Sequence, residues 1–162
     1  MFEVSVVYLV RSGTAGEEVL LGEKLTGLGA GKIVGPGGKQ EPGESPVDTA
    51  LREVSEEVGL TLTSSWLSPI ARITYPFVGR PELSQRSHAF LARRWDGELR
   101  ASEELDATWW PLAELPVERM WSDAALWLPR ALRGEFVEAI FEIGPHDDVL
   151  SSSMTWSRSG PG

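Results

Sequence analysis

Apolar residues come in short bursts along this chain, and most of the bursts have the spacing of strands. Val4 to Val10 is a nearly continuous β-branched and aliphatic run, Glu18 to Leu21 is a second, and Ser12-Gly13-Thr14-Ala15-Gly16 lies between them. Two paired strands joined by a turn are predicted. Strand-like segments return at residues 70–78, 88–95, 108–110, 136–143 and 149–156, separated by turn residues. The period changes at residues 45–58, where Val47, Leu51, Val54 and Val58 recur at helical spacing. Ser45 is placed to cap that helix, Pro46 to begin it, Asp48 to complete a capping box and Gly59 to end it. A second helix is predicted over residues 122–133, with Ser122 as cap, Gly134 as stop and Pro129 as a kink. Together these elements predict one α+β domain over residues 1–156 and a short polar tail, residues 157–162, that should fray.

Composition narrows the function classes. The chain has 162 residues, of which 41% are hydrophobic, enough for a single domain with its own core. A net charge of -9 disfavours a nucleic-acid polymer as partner, because such binding rests on lysine and arginine neutralising phosphates. Without cysteine there is no disulfide, thiolate metal site or thiol nucleophile, which fits a reducing, cytoplasmic setting. The first apolar run is too short to span a bilayer and no basic leader precedes it, so no membrane association is expected. Nothing specifies an oligomer, and a monomer is the simpler expectation.

Within residues 35–60, GPGGKQEPGESPVDTALREVSEEVGL, a glycine- and proline-rich loop leads into the first helix. That helix carries Glu53, Glu56 and Glu57 on a face apart from its apolar stripe. Glutamate favours helices and wet surfaces, so a solvated acidic face accounts for these three residues taken alone. Carboxylates at i, i+3 and i+4 also repel, at roughly 0.2–0.5 kcal/mol per pair, and a divalent cation would relieve them. The oxygen donors would suit Mg²⁺ or Mn²⁺. Spacing alone leaves both readings open.

The longer pattern separates them. Gly38, five residues, Glu44, seven residues and then REVSEEVGL over 52–60 is similar at every fixed position to the signature of the Nudix (MutT) hydrolases. The resemblance implies a mixed sheet sandwiched between helices, and hydrolysis of a nucleoside diphosphate linked to a further group, with Mg²⁺ or Mn²⁺ as cofactor. It implies that Glu53, Glu56 and Glu57 are metal ligands together with the backbone carbonyl of Gly37. Gly37 and Gly38 would let the loop backbone approach the metal, and Gly43 would permit the turn into the helix. Arg52 is expected to orient Glu44 or Glu57 rather than touch the substrate, and Glu53 or Glu104 to act as general base.

Outside the motif, VLLGEKLTGLGAGKIVGPGGK, PFVGRPELSQRSHAF, SEELDATWWPLAELP and ERMWSDAALWLPRAL resemble the eukaryotic-type members that hydrolyse oxidised purine nucleoside triphosphates such as 8-oxo-dGTP. This resemblance implies that Glu104 reaches the metal from a loop, and that Lys24, Gly38 and Lys39 lie on the phosphate side. On the base side it implies Trp121 stacking on the purine, Asp123 bonding its edge, and Tyr75, Phe77 and Trp127 as walls. Three positions depart from the pattern. Val34 replaces an asparagine that contacts the base, Ala124 a second acidic residue, and Leu28 a wall phenylalanine. Valine and alanine cannot discriminate by hydrogen bonding, so base selectivity should differ or be looser.

The expected activity is metal-dependent conversion of a nucleoside triphosphate, an oxidised purine nucleotide foremost, to the monophosphate and pyrophosphate. One alternative is a house-cleaning pyrophosphatase for other nucleoside triphosphates or X-linked nucleoside diphosphates. Another is a silent module that binds nucleotide without cleaving it. His88, in a predicted strand, reads as structural, and His146 lies in a polar turn.

Overall fold

A computed structural model describes residues 1–158. The predicted N-terminal pair is β1 (Phe2–Gly13) and β2 (Gly16–Lys24), antiparallel, with Arg11 opposite Glu18 and Gly13 opposite Gly16. Both strands outrun their apolar residues, and an Arg11–Glu18 ion pair at 2.9 Å lies on the extended ladder. The short strands β3 (Ile33–Val34) and β4 (Gly37–Lys39) come next, pairing with β2 and β1. Neither is visible in the apolar pattern, because a glycine-rich segment becomes a strand here only through backbone bonds to a longer neighbour.

Helix α1 (Pro46–Val58) has the ends its sequence specifies. The Ser45 hydroxyl accepts from the Asp48 N–H at 3.1 Å, the Asp48 carboxylate accepts from the Ser45 N–H at 3.0 Å, and Gly59 ends the helix in the left-handed region at φ 73°. Gly43, at φ 83°, makes the turn into it. The buried stripe differs from the predicted one. Ala50, Val54 and Val58 are fully buried, Val47 and Leu51 only partly, and Glu53 and Glu57 are buried beside the apolar stripe rather than segregated from it.

Five strands and a helix follow: β5 (Ser68–Tyr75), β6 (Gln85–Ala92), β7 (Leu105–Pro111), α2 (Ala124–Ala131), β8 (Phe136–Ile143) and β9 (Val149–Ser157). β5 stops before Pro76, and Phe77 makes only an isolated bridge to Ile143, so the strand predicted over 70–78 is shorter at that end. β6 begins earlier than predicted and ends before Arg93-Arg94-Trp95. α2 is shorter than the predicted helix and starts after Asp123, because the Ser122 hydroxyl donates to the Asp147 carbonyl at 2.9 Å instead of capping. Pro129 lies in the last turn of α2, and Gly134 follows with φ 102°. β9 reaches Ser157, opposite Phe136; residues 159–162, in the predicted polar tail, lie outside the described residues.

The strand order is β3-β2-β1-β6-β5-β8-β9, with β4 added to β1 and β7 to β2. β1–β6 and β5–β8 are parallel and the other named pairs antiparallel, so the sheet is mixed. β1 has a buried layer on both faces. Val7 and Leu9 pack with Leu20, Phe90 and the α1 stripe, while Tyr8 and Val10 pack with Ile73, Phe141 and Trp127 and Leu128 of α2. The expected sandwich of sheet between helices is present, and its continuous apolar β1 reflects a strand buried on both sides.

Candidate functional site

α1 and the loop before β7 bring the acids together. Glu53, Glu57 and Glu104 each place a carboxylate oxygen so that the three lie within 4.8 Å of one another. Glu53 and Glu57 are 8% and 7% exposed, whereas Glu104 is exposed, so two of the acids belong to a buried helix face and the third comes from a loop. Burial pushes the Glu57 carboxyl up to about 8, with the neighbouring Glu53 and Glu104 adding to it against the Gly37 N–H, which donates to Glu57 Oε1 at 2.8 Å. Glu53 is raised too, first by burial, although Arg52 opposes the shift. Hard oxygen donors that resist carrying their charges together have the chemistry to hold a divalent cation.

Glu56 does not join this group. It is exposed and accepts from Arg52 Nη1 at 3.2 Å, on the outer side of the helix. Arg52 organises that side. Its Nε and Nη2 grip both oxygens of Glu44 at 2.7 and 3.0 Å, Nη1 donates to Glu53 at 2.9 Å, and Nη2 donates to the Lys39 carbonyl at 2.9 Å. Of the two partners expected for Arg52, the structure gives Glu44 and leaves Glu57 to Gly37. The Arg52 guanidinium, followed by the Glu41 N–H, holds the Glu44 carboxyl down at about 2. A guanidinium tied to Glu44, Glu53 and the loop carbonyl fixes α1 against β4.

The two motif glycines answer to different neighbours. A Cβ on Gly38 would stand 2.5 Å from Glu53 Cδ, so this glycine keeps space for the Glu53 carboxylate. A Cβ on Gly37 would instead meet the Ser5 carbonyl oxygen and lie 2.8 Å from Val6 Cα. Gly37 is therefore required by β1. It reaches the acids through its N–H.

From Glu57 a cleft of about 200 Å³, open to solvent, runs past Val34, Gly38 and Lys24 to an aromatic end. Asp123 is the polar centre of that end. It is 2% exposed, and its Oδ2 accepts from Tyr75 Oη at 2.7 Å and Trp127 Nε1 at 2.8 Å, while its buried Oδ1 has no partner. Burial raises its carboxyl above the usual range, against those two hydrogen bonds. A buried, bare acceptor lining a cleft calls for a donor from whatever binds there. Phe77 meets Trp121 edge-on at 6.1 Å, and Leu28 and Ala124 also line the cleft.

The lysines separate. Lys24 lines the cleft, whereas Lys39 Nζ lies over the Phe2 ring at 4.5 Å and the structure does not bring it there. Sequence reasoning missed Lys32, whose Nζ lies 5.0 Å over the Trp121 ring, and Gly29, where a Cβ would come within 2.9 Å of Trp121 Nε1. Repeated glycines in TGLGAGK were the available signal, since Gly27, Gly29 and Gly31 all adopt positive φ. His88 is structural in its contacts, with Nε2 2.8 Å from Glu3 Oε1.

With the acids, the arginine and the glycine loop in place, comparison with known proteins decides the family: a profile described as the NUDIX domain matches residues 1–131. The chain belongs to the Nudix family. This Nudix hydrolase is 35% identical over 151 residues to an oxidized purine nucleoside triphosphate hydrolase of Danio rerio, covering 93% of this chain and 92% of the relative. A Mus musculus protein of the same description is 37% identical over 138 residues, covering 85% and 86%. Among solved structures, a mutator MutT protein from Bacillus halodurans superposes with a TM-score of 0.79 at 24% identity, over 95% of this chain and 97% of that one. The Nudix fold expected from the motif is thus the fold observed.

Proposed function

We propose that this Nudix hydrolase cleaves a purine nucleoside triphosphate, oxidised purines foremost, to the monophosphate and pyrophosphate with Mg²⁺ or Mn²⁺. The observation that carries the reading is the continuity of one cleft from Glu57 at the acidic end to Asp123 at the aromatic end. Triphosphate and base then have separate, chemically matched places. The relatives named for oxidised purine nucleoside triphosphates, alike over most of both chains, support the same substrate class.

A divalent cation at Glu53, Glu57 and Glu104 would neutralise phosphate charge and make water a better nucleophile. The chain's own groups do the rest. A carboxylate of Glu53 or Glu104 takes the proton of the attacking water, a P–O bond forms, and the bond to the departing pyrophosphate breaks. Arg52 keeps Glu53 in place while Lys24 offsets phosphate charge in a strongly acidic protein. At the other end Asp123 Oδ1 accepts an N–H from the base edge, and Trp121 packs on its face. The cysteine-free composition fits the cytoplasmic nucleotide pool as the setting.

A second reading has a specific observation behind it. Val34 and Ala124, both lining the cleft, supply no hydrogen bond, which favours other modified or unmodified nucleoside triphosphates as substrates. A panel of unmodified, 8-oxo and methylated purine and pyrimidine triphosphates, assayed for pyrophosphate release with Mg²⁺, separates the two. Preference for 8-oxo-purines supports the first reading and a flat profile the second; no release from any member removes both.

A further inference from the structure

The turn between β8 and β9, residues 144–148, ties two separate walls of the cleft to one residue. Among the described residues Asp147 is the non-glycine with left-handed backbone, at φ 60°. That conformation is disfavoured when a Cβ is present, although aspartate tolerates it better than most, and it persists where surrounding contacts over-determine it. Here they do. Asp147 Oδ1 accepts from Arg80 Nη2 at 2.7 Å, its carbonyl accepts from Ser122 Oγ at 2.9 Å, and its N–H donates to the Gly144 carbonyl at 3.1 Å. Arg80 Nη2 also donates to that same Gly144 carbonyl, at 3.0 Å.

Each tether leads to the aromatic end. The Arg80 guanidinium lies 5.3 Å over the Phe77 ring, and Phe77 in turn meets Trp121 edge-on. Ser122 stands in the chain between Trp121 and Asp123. Asp147 therefore holds the Phe77 loop through its side chain and the Trp121–Asp123 segment through its backbone, without lining the cleft itself. We propose that Asp147 is a positioning residue that sets the relative placement of Phe77, Trp121 and Asp123, and so governs nucleotide affinity and choice of base while leaving the phosphate chemistry alone. The inference rests on the nucleotide reading above.

The test compares three variants by steady-state kinetics, with nucleotide binding followed in parallel. Asp147→Gly accepts the left-handed backbone freely and keeps the carbonyl, so its Tm should equal or exceed that of the wild type. Loss of the Arg80 tether should raise KM about tenfold with kcat within about twofold, and should shift the ratio of KM values between 8-oxo and unmodified purines. Ser122→Ala should shift the same ratio. Asp147→Asn, which retains an acceptor oxygen and tolerates the backbone, should return KM to within about twofold of wild type. A merely structural role would lower Tm and kcat together and leave the ratio between bases unmoved. Unchanged KM in Asp147→Gly, or an unmoved base ratio, overturns the proposal while the nucleotide reading stands. A wild type that neither binds nor hydrolyses any nucleotide overturns both.

Discussion

Glu57→Gln separates what the acidic group does for stability from what it does for chemistry. In the metal-free protein the Glu57 carboxyl is raised from 4.5 to about 8, chiefly by burial and then by Glu53 and Glu104. A carboxyl with a raised folded pKa weakens the fold as pH climbs from the unfolded value to the folded one; below about 4.5 the penalty vanishes and above about 8 it is constant. At pH 7 the penalty has an upper limit of about 3 kcal/mol, at 1.36 kcal/mol per unit above the unfolded value. Glu57 lines a cleft open to solvent, which relieves part of the burial that dominates the shift, so about 1–2 kcal/mol is expected. Glutamine keeps an acceptor for the Gly37 N–H and carries no charge. In EDTA at pH 7 the variant should therefore melt roughly 2–8 °C above the wild type, and the gap should close as pH falls toward 4.5. Added Mg²⁺ should stabilise the wild type far more than the variant, and turnover in the variant should fall by about 100-fold or more. Calorimetric melts with and without Mg²⁺ decide it. A variant that melts below the wild type in EDTA, or that gains as much from Mg²⁺, takes Glu57 out of the cation site.

Other perturbations follow from the same geometry. Gly37→Ala drives a Cβ into the β1 backbone and should lower stability by about 1–3 kcal/mol, whereas Gly38→Ala should spare the melt and weaken Mg²⁺ affinity; the opposite pattern in melts and titrations would reverse their assignments. Arg52→Lys breaks the fork on Glu44, whose depressed pKa contributes stability present above about 4.5 and lost as pH falls toward about 2. Acid melts of the variant should therefore start at higher pH than those of wild type, and coincident acid limbs would count against the fork. Asp123→Asn keeps an oxygen for Tyr75 and Trp127 but can present N–H where the bare Oδ1 stood, so preference should shift toward bases offering an acceptor there. An unchanged base profile in the pyrophosphate assay would show that Asp123 does not read the base.

What could be read from the chain beforehand was what is local. The Ser45–Asp48 box, Pro46 and Gly59 fix α1 within a few residues, and the continuous apolar β1 announces a strand buried on both faces. The three glutamates were ambiguous alone and became legible only with Gly38, Glu44 and Arg52 around them. Long-range geometry escaped. Glu56 shares the motif with Glu53 and Glu57, yet helix rotation turns it toward Arg52 on the exposed side, whereas Glu104 joins them from a distant loop as the resemblance implies. β4 has no side-chain pattern because β1 makes it a strand. Lys39 looks equivalent to Lys24 in sequence, but strand alternation and Phe2 turn its amine elsewhere. The Arg80–Asp147–Ser122 link joins three loops and has no signature in any of them.

The parallel pairing of β1 with β6 has a consequence in time as well as in space. As text, residues 35–60 look like a portable cassette. As a folding unit they are incomplete, because β1, which carries the motif's β4, is itself held on its other side by a strand that begins only at Gln85. A ribosome releases the acidic helix long before that partner exists, and closing so long a loop is slow compared with forming the helix. The acidic group is complete only with the far half of the chain, which supplies both β6 and Glu104, and the excised motif should show little affinity for a cation.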